Sequence, residues 1–252
     1  MLSGQLAPIL FALGLALRGA PTSGYAETLP LPPRLIDFTS HDGETFLIES
    51  KAREDYFPLS IQFVTQKTPA YCGVASMVMV LNALNVPAPP TPDNQAFRTF
   101  TQDDVLDDGT DVVLPRDLLA RQGMTLDQLG ALLALHPVSV EVHHAGDGGL
   151  EAFRSTASAA LESGDHFVIV NYLRKAIGQQ TGGHISPLAA YDAKEDRFLV
   201  LDVARYKYPP FWVKAPDLFD AMNTTDASNG GKTRGYVVVT KAAPAPAAAP
   251  AK

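Results

Sequence analysis

Apolar and polar positions repeat with two different periods along this chain, and the change of period divides it. From Val74 to Leu84 the apolar residues Val74, Met77, Val78, Leu81 and Leu84 recur at helical spacing. That pattern predicts a buried helix, stopped by Asn85-Val86-Pro87. Between Arg116 and His136 two helical patterns flank Gly123, and Thr125 stands before Asp127-Gln128-Leu129 as an N-cap residue does. From Val138 the period becomes two, with Val138, Val140 and Val142 on one face of a predicted strand. Glu151 to Glu162 reads as a helix again. His166 to Tyr172, Ile185 to Tyr191, Arg197 to Val203 and Tyr236 to Val239 are rich in β-branched and aromatic residues, as strands are. Helices followed by strands predict an α+β fold, with a helical N-terminal part and an antiparallel sheet in the C-terminal half.

The two ends depart from this pattern. Leu6 to Leu17 is an apolar run too short to span a bilayer, and Gly24-Tyr25-Ala26 satisfies the small-x-small rule for signal peptidase. Residues 1–26 are therefore expected to be a signal peptide, which makes the protein exported, periplasmic in a bacterium, and without stable membrane association after cleavage. Retention of the segment as an anchor is the alternative, because Lys and Arg are missing ahead of the apolar run. Residues 241–252 are almost entirely Ala and Pro, which predicts an extended, solvated tail. The fold is expected in residues 27–240. With 252 residues, 46% of them hydrophobic, the chain can fill one core of ordinary size. A net charge of -7 without a basic stripe argues against nucleic acid as a partner.

Candidate chemistry starts from the single cysteine. A free Cys is often a small buried hydrophobe. Cys72, however, stands just ahead of the apolar helix, where unsatisfied N–H groups and the helix dipole favour a thiolate, and Gly73 and Ala75 leave room for a substrate. Gln66 lies six residues upstream and can supply an amide beside the Cys72 backbone N–H, making a two-donor oxyanion pocket. The commoner fate of a glutamine is the surface. Of the six histidines, His41, His136 and His166 stand alone, while His143 and His144 point to opposite sheet faces, so no metal site is expected. His184 follows Gly182-Gly183 and opens a strand whose hairpin partner holds Asp202. A turn centred on Ala193 makes His184 and Asp202 direct cross-strand partners; one centred on Lys194 makes them diagonal neighbours on one face; a half-residue shift separates them. A carboxylate there would orient the imidazole that serves Cys72.

Thr65-Gln66 with Pro69-Ala70-Tyr71-Cys72-Gly73-Val74-Ala75-Ser76 and Val80-Leu81-Asn82-Ala83-Leu84 resembles the nucleophile segment of phytochelatin synthases. Gly183-His184-Ile185-Ser186-Pro187, the run from Asp202 to Trp212, and Lys232-Thr233-Arg234-Gly235-Tyr236 resemble the family's His, Asp and closing segments. The resemblance implies a papain-like fold and cleavage of glutathione at its Cys-Gly bond through a γ-Glu-Cys acyl-enzyme on Cys72, resolved by water or by a second glutathione. It also implies metal-glutathione thiolates as partners, with ions such as Cd²⁺ acting through the substrate and no cofactor held by the protein. A homodimer is compatible with the chain. Plant members carry a Cys-rich C-terminal region that this chain lacks, so hydrolysis is expected to outweigh chain extension. For the γ-glutamyl end, Arg234 is the candidate for the carboxylate, with Asn171, Asp226, Tyr236 and Gly183 as further contacts. Asp226 has the alternative role of capping its Asn- and Ser-rich loop, and Arg205 and Lys207 are expected to brace Asp202. Two other readings use the same residues: a bacteriocin-processing-type papain-like peptidase, and a non-enzymatic periplasmic thiol or metal-binding module.

Overall fold

A computed structural model describes residues 27–90, 96–180 and 182–242; the expected signal peptide and nearly all of the expected tail lie outside the described residues. The elements run β1 (Ile36–Asp37), α1 (His41–Glu49), α2 (Tyr56–Ile61), α3 (Cys72–Ala83), α4 (Asp108–Val113), α5 (Arg116–Gln122), α6 (Leu126–Leu133) and β2 (Val138–His144). They continue with α7 (Ala145–Ser163), β3 (His166–Leu173), β4 (Gly183–Asp192), β5 (Arg197–Val200), β6 (Phe211–Lys214), α8 (Ala215–Met222) and β7 (Gly235–Lys241). The strands form one antiparallel sheet in the order β1-β6-β5-β4-β3-β7-β2. The architecture is α+β, as the pattern predicts. Short β1 and β6 and helices α1, α2, α4 and α8 go beyond it, and the predicted strand from Arg197 stops at Val200 rather than Val203.

Each face of the sheet carries a core, which follows from the period of two along its strands. Phe167, Ile169, Ile185, Val237 and Val239 pack on one side with α3 and α6. Val168, Val170, Leu188, Val213 and Val238 pack on the other with Phe153, Ala157 and Leu161 of α7 and Leu218, Phe219 and Met222 of α8. Helix α3 is buried all round from Cys72 to Leu81 rather than along one stripe, as expected of a helix that is apolar on every side. Thr125 caps α6 with a complete capping box, its side chain accepting from the Gln128 N–H while the Gln128 side chain accepts from the Thr125 N–H.

The β4–β5 register corrects the simple hairpin. Asp192 pairs with Arg197, so the turn centre falls between Lys194 and Glu195, a half-residue position that by itself would put His184 and Asp202 on opposite faces. A bulge between Leu188 and Ala190 restores the parity. Leu188 pairs with Val200 across it, and Ala189 and Ala190 both turn toward the α3 core. The Leu201 N–H then donates to Pro187 O at 3.0 Å. Asp202 consequently stands diagonal to His184 on the same face.

Candidate active site

Cys72 is the first residue of α3, and only 8% of it is exposed. The Ser76 hydroxyl fixes this helix end, donating to Cys72 O at 2.8 Å and lying 3.3 Å from Ile185 O on β4. Burial pushes the Cys72 thiol up, but the hydrogen bond and charge of His184, with the backbone groups of Ile185 and Gly73, outweigh it and hold the thiol below its ordinary value. The shift of the thiol thus runs in the direction that favours a thiolate beside His184.

His184 is 4% exposed, and its Nε2 lies 2.8 Å from Asp202 Oδ1 and 2.9 Å from Ser186 Oγ, which leaves Nδ1 for the sulfur. Burial works against the charged ring, yet the Asp202 carboxylate raises its basicity despite the opposing charge of Arg174. Asp202 is fully buried and accepts from Arg174 Nη1 at 2.8 Å, Arg174 Nη2 at 2.9 Å and the Ala204 N–H at 2.9 Å. Burial alone would raise its pKa; His184 and Arg174 reverse the sign and keep it ionised. Sequence reasoning missed Arg174. It follows strand β3, is 3% exposed, reaches Gln179 Oε1, and lies 5.3 Å from the centre of the Tyr208 ring. Arg205, expected as a brace, instead lies over Phe63, while Lys207 lines a small cavity near Arg174. Tyr172, opposite His184 on β3, meets the imidazole in a T-shaped contact with ring centroids 5.7 Å apart and keeps a buried hydroxyl with no partner.

A cavity of about 240 Å³ opens beside this chain of charges, and Cys72, His184, Asn171, Gly183, Asp226 and Arg234 all line it. Arg234 commits Nη1 to Thr225 O at 2.8 Å and to Thr224 Oγ1 at 3.2 Å. Nε has no partner, and Nη2 stands 3.7 Å from Asp226 Oδ1, beyond hydrogen-bond reach. The Nε–Nη2 edge is the one that grips a carboxylate with two parallel bonds. Asp226 caps its loop, its Oδ1 accepting from the Ser228 N–H at 3.1 Å, and it also lines the cavity. Tyr236 does not. Val237 and Val239 face the α3 core, so alternation turns Tyr236 to the other side, where its ring stacks on His143 at 4.7 Å and meets Phe153 at 5.1 Å. Gln122, Met124, Thr125 and Gln128 also line the cavity and were not expected. That wall is fastened to the Arg234 loop by Asp127, which accepts from Lys232 Nζ at 2.7 Å and lies 2.8 Å from His144 Nε2.

Gln66 is buried, held by its N–H donating to Val203 O at 2.8 Å, but it lines the small cavity of about 200 Å³ on the other flank of His184. Its amide nitrogen donates to Thr68 O at 2.7 Å and to Tyr206 Oη at 3.2 Å, while Oε1 has no partner. An oxyanion would have to replace the longer bond. Among the described residues no three His, Cys, Asp or Glu side chains are grouped to hold a metal ion.

The geometry joins a buried thiol, an imidazole and a carboxylate beside a cavity that Arg234 also lines. The family model for phytochelatin synthase matches residues 26–236. The chain belongs to the phytochelatin synthase family. It is 36% identical over 225 residues to glutathione gamma-glutamylcysteinyltransferase 3 of Lotus japonicus, covering 88% of this chain and 45% of that protein. Identity to the Arabidopsis thaliana enzyme 1 of the same name is 33%, covering 88% of this chain and 45% of the relative. The Schizosaccharomyces pombe enzyme is 29% identical, with 83% and 50% covered. The chain thus spans about half the length, or slightly less, of these curated relatives. Neither the bacteriocin-type peptidase reading nor the thiol or metal-binding module finds support in these matches.

Proposed function

We propose that this chain cleaves glutathione at its Cys-Gly bond on a papain-like scaffold, with Cys72 as nucleophile, His184 as acid and base, and Asp202 as its orienting partner. The Cys72 thiolate attacks the Cys-Gly carbonyl, and the oxyanion is met by the Cys72 N–H and by Gln66 once its amide releases Tyr206. Protonated His184 gives its proton to the departing glycine amine, leaving γ-Glu-Cys as a thioester on Cys72. Water then yields free γ-Glu-Cys; a second glutathione yields phytochelatin. Arg234 holds the γ-glutamyl carboxylate, with Asp226 beside it for the α-ammonium and Asn171 and Gly183 completing the wall.

The observation that carries this reading is the meeting of Cys72, His184 and Arg234 in one cavity, with the Arg234 Nε unpartnered. It asks for a substrate with a carboxylate remote from the bond that breaks. Soft cations such as Cd²⁺ enter as thiolates of the substrate. Export through residues 1–26, with 241–252 as a solvated tail, is part of the same proposal. Incubation with glutathione, with and without Cd²⁺, followed by mass spectrometry tests it: γ-Glu-Cys and glycine, or phytochelatin and glycine, are expected. Glutathione left intact by protein that is folded and free of oxidised Cys72 would reject it.

A further inference from the structure

We propose that the thioether of Met124 is the contact for the cysteinyl side chain of the bound γ-Glu-Cys group, and that it makes the site selective for sulfur at that position. The inference rests on the glutathione reading above. With the γ-glutamyl end on Arg234 and the acyl carbon on Cys72, the cysteinyl side chain branches from the carbon adjoining the acyl carbon, beside the nucleophile. Met124 lines the same cavity as Cys72. It packs against Gly73, the residue that follows Cys72: a Cβ placed on Gly73 would lie 2.8 Å from Met124 Cγ and 2.9 Å from its Cε.

The backbone on both sides of Met124 fixes that position. Gly123 sits at φ 74°, where L side chains are strained, and a Cβ there would lie 3.4 Å from Ala70 O. The turn between α5 and α6 is thus pressed against the segment that leads into α3. Thr125 then starts α6 at once with its capping box. Among the residues lining the cavity, only Cys72 and Met124 carry sulfur, and the neighbouring side chains of Gln122, Thr125 and Gln128 are amides and a hydroxyl. A thioether is soft and polarizable; it gives a thiol a favourable sulfur contact that an isosteric hydrocarbon does not.

A methionine that merely fills space is the competing role, and substrate choice separates the two. The kcat/KM of wild-type protein and of Met124→Leu is to be measured on γ-Glu-Cys-Gly and on γ-Glu-aminobutyryl-Gly, in which a methyl replaces the thiol. Leucine keeps the volume and removes the sulfur. The expected result is that the variant's preference for the cysteinyl peptide falls roughly three- to tenfold, with the methyl analogue changed less than about twofold. An unchanged preference overturns the inference, and so does an equal loss on both peptides, which marks Met124 as packing alone. Wild-type protein inactive on both peptides would instead overturn the glutathione reading.

Discussion

Among the described residues two aspartates are completely buried, and they have opposite fates. Asp202 is surrounded by Arg174, His184 and the Ala204 N–H, and its carboxyl is held well below the usual carboxylate range. Asp55 precedes α2 without capping it, and neither side-chain oxygen has a partner. Burial, reinforced by Asp165 and Glu54, pushes Asp55 up to about 8. Arg53, two residues earlier, turns to the carbonyls of Leu47 and Ile48 instead. Burial is the first cause in both cases, so its sign does not decide the charge state. Donors do: where the fold aims them at a carboxylate the charge survives, and where it does not the group keeps its proton.

The comparison is broken most forcefully at Asp202. Asp202→Asn keeps the shape but loses the charge that supports the His184 imidazolium, so kcat on glutathione should fall roughly 10³- to 10⁴-fold. Steady-state glycine release measures this, and a loss under about tenfold would show that His184 does not depend on the carboxylate. Next comes the partner from which sequence gave no warning. Arg174→Met leaves Asp202 buried with half its donors gone, which should cost about 3–5 kcal/mol in a urea unfolding curve. An unaltered midpoint would mean that the guanidinium contributes nothing net. Smallest is the gain at Asp55. Its folded value lies above the unfolded 3.8, so the native state binds the extra proton: the stabilisation is complete below about pH 4 and drains away as pH rises toward about 8. Asp55→Asn, which cannot ionise, should raise Tm by roughly 5 °C at pH 8.5 and far less at pH 4.5. An equal change at both values would contradict an unpaired acid.

The same contrast explains what the sequence disclosed. Segments whose local rule and tertiary role agree were legible: the apolar helix α3, the Gly123 break, the Thr125 cap and the strands β2, β3, β4 and β7. Cys72, His184 and Arg234 stood out because each adjoins a glycine, and Asp202 because it is a charge within an apolar run. The bulge at Ala189 was not, since two successive alanines facing one core leave no mark in a pattern of apolar residues. Its effect was decisive, because without it His184 and Asp202 would face apart. Arg174 lies in Arg174-Lys175-Ala176, and Asp55 follows Arg53-Glu54; both stretches have the composition of solvated turns, and only tertiary packing buries them. Tyr236 could have been read correctly, because Val237 and Val239 already fixed which alternate positions face α3.

The central claim is that a γ-Glu-Cys group passes through Cys72. Rapid quenching in acid after mixing with glutathione, followed by peptide mass spectrometry, tests it directly. The account requires Cys72 to carry one γ-Glu-Cys group while an equal amount of glycine appears in a burst, with both signals absent from Cys72→Ser. Glycine released at an undiminished rate by that variant, or release of glutamate in place of glycine, would contradict it.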